Sequence, residues 1–363
     1  MVSNNIFAHI FSARALTFHE DAEARLRACR EQVLREVRGE KPCDTLRFVM
    51  FKVTNKCNGG CIYCGYSRQN RQVIAEAEKT ISNTDKITDL LDSAAEMGAL
   101  AIAYNGGEPL LRDDIDELIT AAVQRGILPI LMTNGLLLPA KWRTLGAAGL
   151  KYIMISLDSL DPDTCMYQRG VALETILEGV NAALRMREIH GDMMIHLTAV
   201  VTKHNARDIR RLAEFATENH IWLELYAYHH TNEGKDVLSI EDEAMCDELI
   251  KTIREMKAAH YMIATSDEYI YHLRDFFIHK QRMPENYRCM TGFTTLQVDS
   301  SLDVRPCWGS SFGVLGNAGK QSLKELWTCG RMEQYRKKML AGRCGSCWNM
   351  CNEINALLNE RVV

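Results

Sequence analysis

Three cysteines stand within eight consecutive positions of the sequence, Cys57, Cys61 and Cys64, in the pattern C-x₃-C-x₂-C. A closed structural zinc site needs four ligands and a disulfide framework needs pairs, so three thiols suit neither. Three thiolates on a 4Fe–4S cube leave one iron without a protein ligand, and that iron can bind a substrate or cofactor. The spacing therefore favours an open iron–sulfur site, with a zinc site completed by a remote histidine as the alternative.

A second set of cysteines lies near the C-terminus, and five of its thiols could meet at one site: Cys289, Cys307, Cys344, Cys347 and Cys351. The first two flank a pair of alternating apolar runs that predict a β-hairpin, whose out-and-back strands bring its ends together. The last three stand at i, i+3 and i+7, which is one face of a helix. Together these thiols offer five ligands for one metal site, and a zinc ribbon is one reading of them.

Composition indicates that these thiols stay reduced. The chain has 363 residues and 13 cysteines, an odd and clustered count that argues against a disulfide framework. Its formal net charge of −4 gives no electrostatic reason to bind nucleic acid, and no apolar run is long enough for a membrane span. The N-terminus lacks the basic region and cleavage site of an export signal. We therefore expect a cytoplasmic protein without nucleic-acid or membrane partners.

Short apolar runs alternate with amphipathic segments of helical length through the middle of the chain. Six runs predict strands, at 46–53, 100–105, 128–133, 152–157, 194–201 and 221–228. The helical patterns lie near 84–98, 112–126, 139–149, 172–190, 205–220 and 241–261. Nearly continuous apolar strands that alternate with helices indicate a parallel sheet covered by helices. The predicted fold class is therefore α/β, a partial (β/α)6 TIM-like barrel.

This alternation stops after residue 262, which divides the chain into three predicted parts. Residues 1–45 predict a helical segment and residues 46–262 the partial barrel. Residues 263–363 predict a linker and a small cluster-binding domain, built from the β-hairpin, a helix near 322–341 and the cysteine-rich end.

Polar sequences that contain glycine or serine follow four consecutive predicted strands: "TNKCNGGC", "NGGEP", "TNG" and "SLDSLD". In parallel α/β folds the carboxyl ends of the strands meet at one edge of the sheet, where the chemistry gathers. These four sequences therefore predict one shared mouth.

At these residues the sequence resembles the radical S-adenosylmethionine (SAM) superfamily, over roughly residues 46–230. The resemblance rests on "CNGGCIYC" after the first strand, with Tyr63 before the third cysteine, and on "GGEP" after the second strand. It implies that the amino and carboxylate groups of SAM chelate the open iron of a 4Fe–4S cluster. It also implies that Gly106, Gly107 and Glu108 receive the methionine amino group and that the backbone of Tyr63 contacts the adenine.

The same resemblance extends to further positions near the strand ends. Asn134 and Ser156 stand where this family places ribose or methionine contacts, and Arg169 where it holds the carboxylate, with a purely structural role as the alternative. Thr202 and Tyr226, near later strand ends, are additional candidates. The implied reaction begins with an electron from a flavodoxin- or ferredoxin-type donor. The C5′–S bond of SAM then breaks, and a 5′-deoxyadenosyl radical abstracts a hydrogen atom from the substrate.

The C-terminal region is similar to SPASM/twitch extensions, through its hairpin and the sequences "GNAGK" and "SLKELW". This resemblance implies an auxiliary 4Fe–4S cluster, and the single cysteine after the last C-x₂-C predicts one such cluster instead of two. The expected ligands are Cys289, Cys307 and Cys347, with Cys344 or Cys351 as the fourth. A cluster closed by four thiolates would transfer electrons, whereas one held by three could bind substrate.

Two further features of the predicted mouth are candidates for the chemistry. Cys165 follows the fourth strand and could donate a hydrogen atom to a product radical, with an inert buried cysteine as the alternative. His229 and His230 follow the sixth strand, where they could bind substrate or serve only the loop.

The substrate class stays open between two hypotheses. The first is modification of a ribosomally made peptide by crosslinking, epimerisation or oxidation, which the SPASM/twitch resemblance favours. About 45 residues precede the barrel, too few for a fused leader-binding domain, so a separate leader-binding protein is an expected partner. The second is an aminocyclitol or sugar dehydrogenase or epimerase. A non-catalytic metal scaffold is a third reading, which leaves "GGEP" without a purpose.

Overall fold

Six buried strands lie within two residues of the predicted positions. They belong to a computed structural model that describes residues 22–67, 82–228, 238–280, 289–308 and 312–342. The strands are β1 (Phe48–Thr54), β2 (Ala101–Gly106), β3 (Leu128–Thr133), β4 (Tyr152–Ser156), β5 (Met194–Val201) and β6 (Trp222–Ala227). The predicted alternation of strands and helices is confirmed.

Helices connect these strands and continue beyond them. They are α1 (Ala22–Val37), α2 (Thr84–Glu96), α3 (Ile115–Gln124), α4 (Leu138–Ala147), α5 (Pro162–Arg169), α6 (Leu173–His190), α7 (Ile209–Glu218), α8 (Glu243–Ala258), α9 (Asp267–Tyr271), α10 (Leu273–Phe277), α11 (Leu323–Trp327) and α12 (Gly330–Leu340). No helix in the described part of the chain is long and apolar enough to cross a membrane.

Helix α5 was not predicted from the sequence, although its ends carry ordinary signals. Asp161 accepts a hydrogen bond from the backbone N–H of Thr164 at 2.8 Å, and Pro162 occupies the first turn. The helix ends at Gly170, whose φ of +64° is a conformation that favours glycine. These local signals hold α5 directly behind the fourth strand end.

One helix prediction is wrong at its end and another is wrong in its interior. The N-terminal helical pattern was predicted through residue 45, but α1 ends at Val37 and is followed by Gly39 with a φ of +74°. The single helix predicted near 322–341 is two helices, α11 and α12. They are separated at Cys329, whose extended backbone and sulfur cap the N-terminus of α12.

Over the residues that the structure describes, the sheet contains nine strands in the order β6-β5-β4-β3-β2-β1-β7-β8-β9. The three added strands are β7 (Thr295–Val298), β8 (Asp303–Arg305) and β9 (Gly316–Asn317). The predicted hairpin is confirmed, since β7 and β8 pair antiparallel. However, β7 also pairs in parallel with β1, from Phe48 to Phe51. The hairpin therefore continues the main sheet, because it supplies hydrogen bonds to the edge that β1 would otherwise leave open.

Side chains alternate between the two faces of the sheet. The outer face packs against helices α2 to α8 and carries residues such as Val49, Ile102 and Ile153. The opposite face, called the inner face here, is apolar at its lower end, with Phe48, Leu128 and other residues packed against α1. Helix α1 therefore closes the lower end of the half-barrel. The upper end, where the strands finish, holds the polar loops.

A buried ion pair fixes α1 to the sheet. The guanidinium of Arg47 donates to the Glu36 carboxylate through both terminal nitrogens, at 3.0 and 2.9 Å. One of these nitrogens also donates to the carbonyl of Phe293 at 2.9 Å. The two charged side chains are at most 2 % exposed. This contact joins the N-terminal helix, the first strand and the C-terminal region at one point.

Candidate active site

The three-cysteine loop leaves the upper end of β1 and is held by the end of α5. The backbone N–H of Gly60 donates to the carbonyl of Arg169 at 2.9 Å, and Ile62 N–H donates to Gln168 at 3.0 Å. Gly170 lies so close that a Cβ there would be 2.9 Å from the Cα and the carbonyl oxygen of Gly60. The loop is therefore braced by α5 over its whole middle section.

The two glycines of "NGGEP" lie directly against the segment that leads into the loop. A Cβ on Gly106 would lie 2.2 Å from the carbonyl oxygen of Thr54, and a Cβ on Gly107 would lie 2.0 Å from that of Lys56. Backbone hydrogen bonds join the same segments, from Gly107 N–H to Thr54 at 2.8 Å and from Glu108 N–H to Lys56 at 2.7 Å. Only glycine allows this approach of backbone to backbone.

Glu108 connects the ends of β2 and β3. Its buried carboxylate accepts hydrogen bonds from the Thr133 hydroxyl at 2.8 Å, the Asn134 N–H at 2.7 Å and the Leu110 N–H at 3.0 Å. Burial raises the pKa of this carboxyl, and the three donors oppose that shift. The side chain thus shapes the turn. The predicted contacts of Gly106, Gly107 and Glu108 with SAM remain predictions.

Asp158, the first aspartate of "SLDSLD", was not predicted as a site residue. It is the central acceptor, or hub, of the hydrogen bonds at the strand ends. Its fully buried carboxylate accepts from the Tyr63 hydroxyl at 2.5 Å, from Arg169 Nη2 at 2.9 Å and from the Val200 N–H at 2.9 Å. These donors belong to the cysteine loop, α5 and β5. One carboxylate therefore orients two of the predicted SAM-binding residues, Tyr63 and Arg169.

Several donors point at the cysteine sulfurs. Gly59 N–H lies 3.3 Å from Cys57 Sγ, Asn134 Nδ2 4.0 Å from the same sulfur, and Arg169 Nη1 3.9 Å from Cys61 Sγ. Burial raises the pKa of the Cys57 thiol to about 11 and also raises the pKa of Cys61, where the guanidinium of Arg169 opposes the rise. Cluster iron, which binds thiolates, would displace these protons.

The donor set fits an iron–sulfur cluster with a ligand beside it. Hydrogen bonds to cluster sulfurs are a normal means of tuning such sites. In addition, the Nε of Arg169 is buried and has no hydrogen-bond partner in the described part of the chain. A buried guanidinium N–H without an acceptor costs free energy, and a carboxylate ligand at the mouth would satisfy it.

The remaining predicted contacts lie along the later strands. The hydroxyl of Ser156 accepts from that of Thr198 at 3.5 Å, and the Thr202 hydroxyl donates to Gln168 at 3.1 Å. Thr202 is fully buried behind the mouth, whereas Ser156 is half-buried on the inner face. The roles predicted for these residues and for Tyr226 remain predictions.

Cys165 lies on α5 and belongs to the helix-covered core. It is fully buried, and its Sγ lies 3.8 Å from the carbonyl of Val171. Burial raises the pKa of its thiol to about 11. Such a position is typical of a cysteine that acts as a small apolar residue. Its predicted role as a hydrogen donor remains a prediction.

Two of the predicted auxiliary ligands lie in one small cluster beside the hairpin. Cys289 precedes the hairpin and Cys307 follows it, and they pack together with Phe312, Tyr335 and Met339. The predicted return of the hairpin to its starting point accounts for this proximity. The other candidate ligands, Cys344, Cys347 and Cys351, lie outside the described residues, as do His229 and His230.

A line of polar side chains crosses the inner face below the mouth and was not predicted. Tyr152 O–H contacts His196 Nε2, and Tyr226 O–H contacts the Glu224 carboxylate. His196 Nδ1 lies 3.0 Å from the same carboxylate, although the two groups are not aligned as a hydrogen bond. The strand alternation at β4, β5 and β6 places these four residues on one face.

The importance of Asp158 can be tested with SAM itself. We expect the Asp158→Asn variant to bind SAM about tenfold or more weakly, because a hydrogen bond to a charged group contributes about 1.5–3 kcal/mol. The matched control is Tyr63→Phe, which removes one donor and leaves the Arg169 pair intact, and should show a smaller change. Equilibrium dialysis of SAM against anaerobically reconstituted protein measures both. Equal affinities for Asp158→Asn and the unaltered protein would contradict the role assigned to this hub.

Comparison with known proteins identifies families for both cysteine-bearing regions. A family model for the radical SAM superfamily matches residues 51–216, and one for the SPASM iron–sulfur cluster-binding domain matches residues 289–349. The AdoMet-dependent heme synthase of Methanosarcina barkeri is 26 % identical over 327 residues, 83 % of this chain and 88 % of that relative. The GTP 3′,8-cyclase of Peptoclostridium acidaminophilum is 31 % identical over 219 residues, 58 % of this chain and 64 % of the relative.

Among solved structures, SuiB of Streptococcus suis bound to S-adenosylmethionine has a TM-score of 0.64. The similarity covers 88 % of this chain and 74 % of SuiB at 20 % sequence identity, which establishes the common fold. The two family matches fall on the two cysteine-bearing regions and identify the cofactors as SAM, a 4Fe–4S cluster and an auxiliary iron–sulfur cluster. The chain is a member of the radical SAM superfamily, an enzyme with a C-terminal SPASM iron–sulfur cluster-binding domain.

Proposed function

We propose that this enzyme modifies a ribosomally made peptide by abstracting a hydrogen atom from one of its residues. The observation that carries the proposal is the charge of the inner face. Along the seven parallel strands described, the inner-face positions hold one lysine, Lys52, and one carboxylate, Glu224. The other positions are apolar, aromatic or uncharged polar residues, apart from His196. Such a lining suits a peptide segment better than a polyphosphate, which requires several cations.

The fold supports the same substrate class. SuiB, which shares the fold over most of this chain, has been solved with its precursor peptide SuiA. In the described part of the chain the sheet is also not closed into a barrel, since β6 and β9 stand at its two ends. An open side admits an extended chain that a closed barrel would exclude. Crosslinking, epimerisation and side-chain oxidation are the candidate outcomes.

Within this proposal, the described residues have distinct tasks. When bound, the cluster and SAM supply the radical that abstracts a substrate hydrogen. Asp158 orients Tyr63 and Arg169 around that centre, and α5 braces the cysteine loop. The apolar lower part of the inner face and α1 keep water from the site. The SPASM region would accept or return an electron.

A small-molecule enzyme is the second candidate. It is favoured by the sequence relatives, a heme synthase and a GTP cyclase, whose identities to this chain exceed that of SuiB. An aminocyclitol or sugar dehydrogenase or epimerase belongs to the same class. The sparse charge of the described inner face argues against a nucleoside triphosphate, but an uncharged sugar would fit it.

One experiment separates the two candidates. Anaerobically reconstituted enzyme is given SAM and a reduced flavodoxin- or ferredoxin-type electron donor. Short peptides encoded beside the gene, GTP, and a panel of sugars and aminocyclitols are then added in separate reactions. We expect 5′-deoxyadenosine formation to rise only with a peptide, and deuterium from the labelled peptide to enter 5′-deoxyadenosine. The Cys61→Ala variant is the control without a complete cluster site. Turnover of a sugar, an aminocyclitol or GTP in place of every peptide would contradict the proposal.

A further inference from the structure

Lys52 is the charged residue of β1, and its side chain lies between the two cysteine-bearing regions. Its Nζ donates to the hydroxyl of Tyr66 at 2.9 Å and lies 3.4 Å from the ring centroid of Trp308. Tyr66 is two residues after Cys64, and Trp308 directly follows Cys307. The ammonium group is therefore held at the upper inner face by the cysteine loop on one side and the hairpin end on the other.

Within the described residues, the Lys52 ammonium group has no carboxylate partner. No Asp or Glu in the described part of the chain lies within ion-pair distance of Lys52. The acid that acts on it most strongly is Asp299, but that carboxylate already accepts from Ser301 at 2.6 Å and from the Asp303 N–H at 3.1 Å. Burial lowers the pKa of Lys52 to about 8. Lys52 is half-buried, and a cation partly withdrawn from water without a counter-ion among the described residues is unfavourable, so an anion would complete the site.

Two amide side chains on the same face of the sheet as Lys52 also have buried atoms without hydrogen-bond partners among the described residues. Asn105 is the register partner of Lys52 on β2, and its buried Oδ1 accepts no hydrogen bond from any described residue. Gln297 on β7 is paired with Met50, one step below Lys52 on the same face. Gln297 is fully buried, and neither atom of its amide has a partner among the described residues. Each unsatisfied buried amide group costs free energy, which a ligand with matching donors and acceptors would recover.

Together, the three side chains can bind one kind of ligand, an anion next to amide groups. The Lys52 ammonium and the amide N–H groups are donors for an anion, while the two amide oxygens accept N–H groups beside it. We infer that Lys52, Asn105 and Gln297 bind a substrate carboxylate that is flanked by peptide amide groups. The inference rests on the proposed function and narrows it to a peptide that presents a carboxylate at the mouth. Because Lys52 is the one cation among the three residues, they match the single charge of a carboxylate better than the double charge of a phosphate dianion.

A competing explanation is that Lys52 only balances the negative charge of the nearby cluster thiolates. The two explanations predict different results without any turnover. If Lys52 serves the cluster, the Lys52→Met variant will change the electron paramagnetic resonance spectrum of the reduced cluster or the affinity for SAM. If it binds substrate, both will stay as in the unaltered enzyme, and the binding of a carboxylate probe will be lost.

The test uses holoenzyme and three small probes. N-acetylglycine carries a terminal carboxylate beside an amide, the α-methylamide of N-acetylaspartate carries a side-chain carboxylate, and N-acetylglycinamide is the neutral match. Reductive methylation followed by peptide mass spectrometry gives the labelling rate of Lys52. We expect one carboxylate probe to slow this rate severalfold and N-acetylglycinamide to leave it unchanged. Whichever carboxylate protects identifies a chain terminus or an acidic side chain.

Two controls test whether the protection is specific to Lys52 and to a carboxylate. Lys251, an exposed lysine on α8, should be labelled at one rate with every probe. In equilibrium dialysis, Lys52→Arg should retain the preference for the carboxylate probe, and Lys52→Met should lose it. Equal protection by N-acetylglycinamide, or no protection by either carboxylate, would overturn the inference. If the substrate proves to be a sugar acid while Lys52 is still protected, the proposed function fails and the carboxylate site stands.

Discussion

Replacement of Gly107 by alanine is expected to lower SAM cleavage by about 100-fold or more, because displacement of reacting groups by about 1 Å has effects of that size. A Cβ at this position would lie 2.0 Å from the carbonyl oxygen and 2.5 Å from the carbonyl carbon of Lys56. Neither atom belongs to a flexible side chain, so the backbone itself must move. Lys56 directly precedes Cys57, and the movement would therefore displace the first cluster ligand.

The measurement combines iron and sulfide content after anaerobic reconstitution with 5′-deoxyadenosine formation. We expect the iron content of Gly107→Ala to fall to that of a variant lacking Cys57, Cys61 and Cys64, which retains only the auxiliary site. The matched control is Gly126→Ala. Unlike Gly107, Gly126 has a positive φ, of +70°, but a Cβ there meets nothing within 4 Å, so only backbone strain of about 1–2 kcal/mol is added. Full iron content in Gly107→Ala would refute the argument.

The second large effect is expected for the buried pair of Arg47 and Glu36. Arg47→Met leaves the Glu36 carboxylate buried without its counter-ion and leaves the carbonyl of Phe293 without its donor. Removal of one partner from a buried pair costs about 3–5 kcal/mol. We therefore expect the free energy of unfolding to fall by that amount, measured by anaerobic urea denaturation with circular dichroism as the signal.

An exposed ion pair of similar geometry serves as the control for the buried Arg47–Glu36 pair. Arg125 and Asp92 also form a two-pronged ion pair, at 2.7 and 2.9 Å, but Asp92 is 56 % exposed. Asp92→Asn should lower the free energy of unfolding by about 1 kcal/mol or less. The double variant Arg47→Met/Glu36→Leu should be less destabilised than Arg47→Met alone, because it buries no unpaired charge. A loss of about 1 kcal/mol or less in Arg47→Met would show that the buried pair contributes no more than the exposed one.

Much of the fold could be predicted because buried parallel strands have nearly continuous apolar sequences. The runs at β3 and β5 match the predicted strands residue for residue. The pairing of β7 with β1 could not be predicted in this way. It joins residues almost 250 positions apart through a four-residue strand, and nothing in so short a run specifies its partner.

The candidate site likewise contains features that are local in sequence and features that depend on contacts between distant residues. The cysteine spacing and "GGEP" are local, and the sequence identifies them without any structure. Asp158 is different, because its role depends on Tyr63, which lies 95 positions away and reaches it only in the folded chain. Lys52, by contrast, stands out in the sequence itself. It is a charged residue within the apolar run "FVMFKV", and a charge inside a buried strand is rarely structural alone.

The pairing of β7 with β1 has a consequence for the independence of the two cysteine-bearing regions. The strand that ends in the three-cysteine loop pairs, from Phe48 to Phe51, with the strand that begins the SPASM hairpin. Removal of the hairpin would leave β1 as an exposed, apolar strand edge, which favours aggregation. The barrel should consequently not be obtainable as a separate stable fragment. Exchange of SPASM regions between family members would have to preserve this strand pairing as well as the cluster ligands.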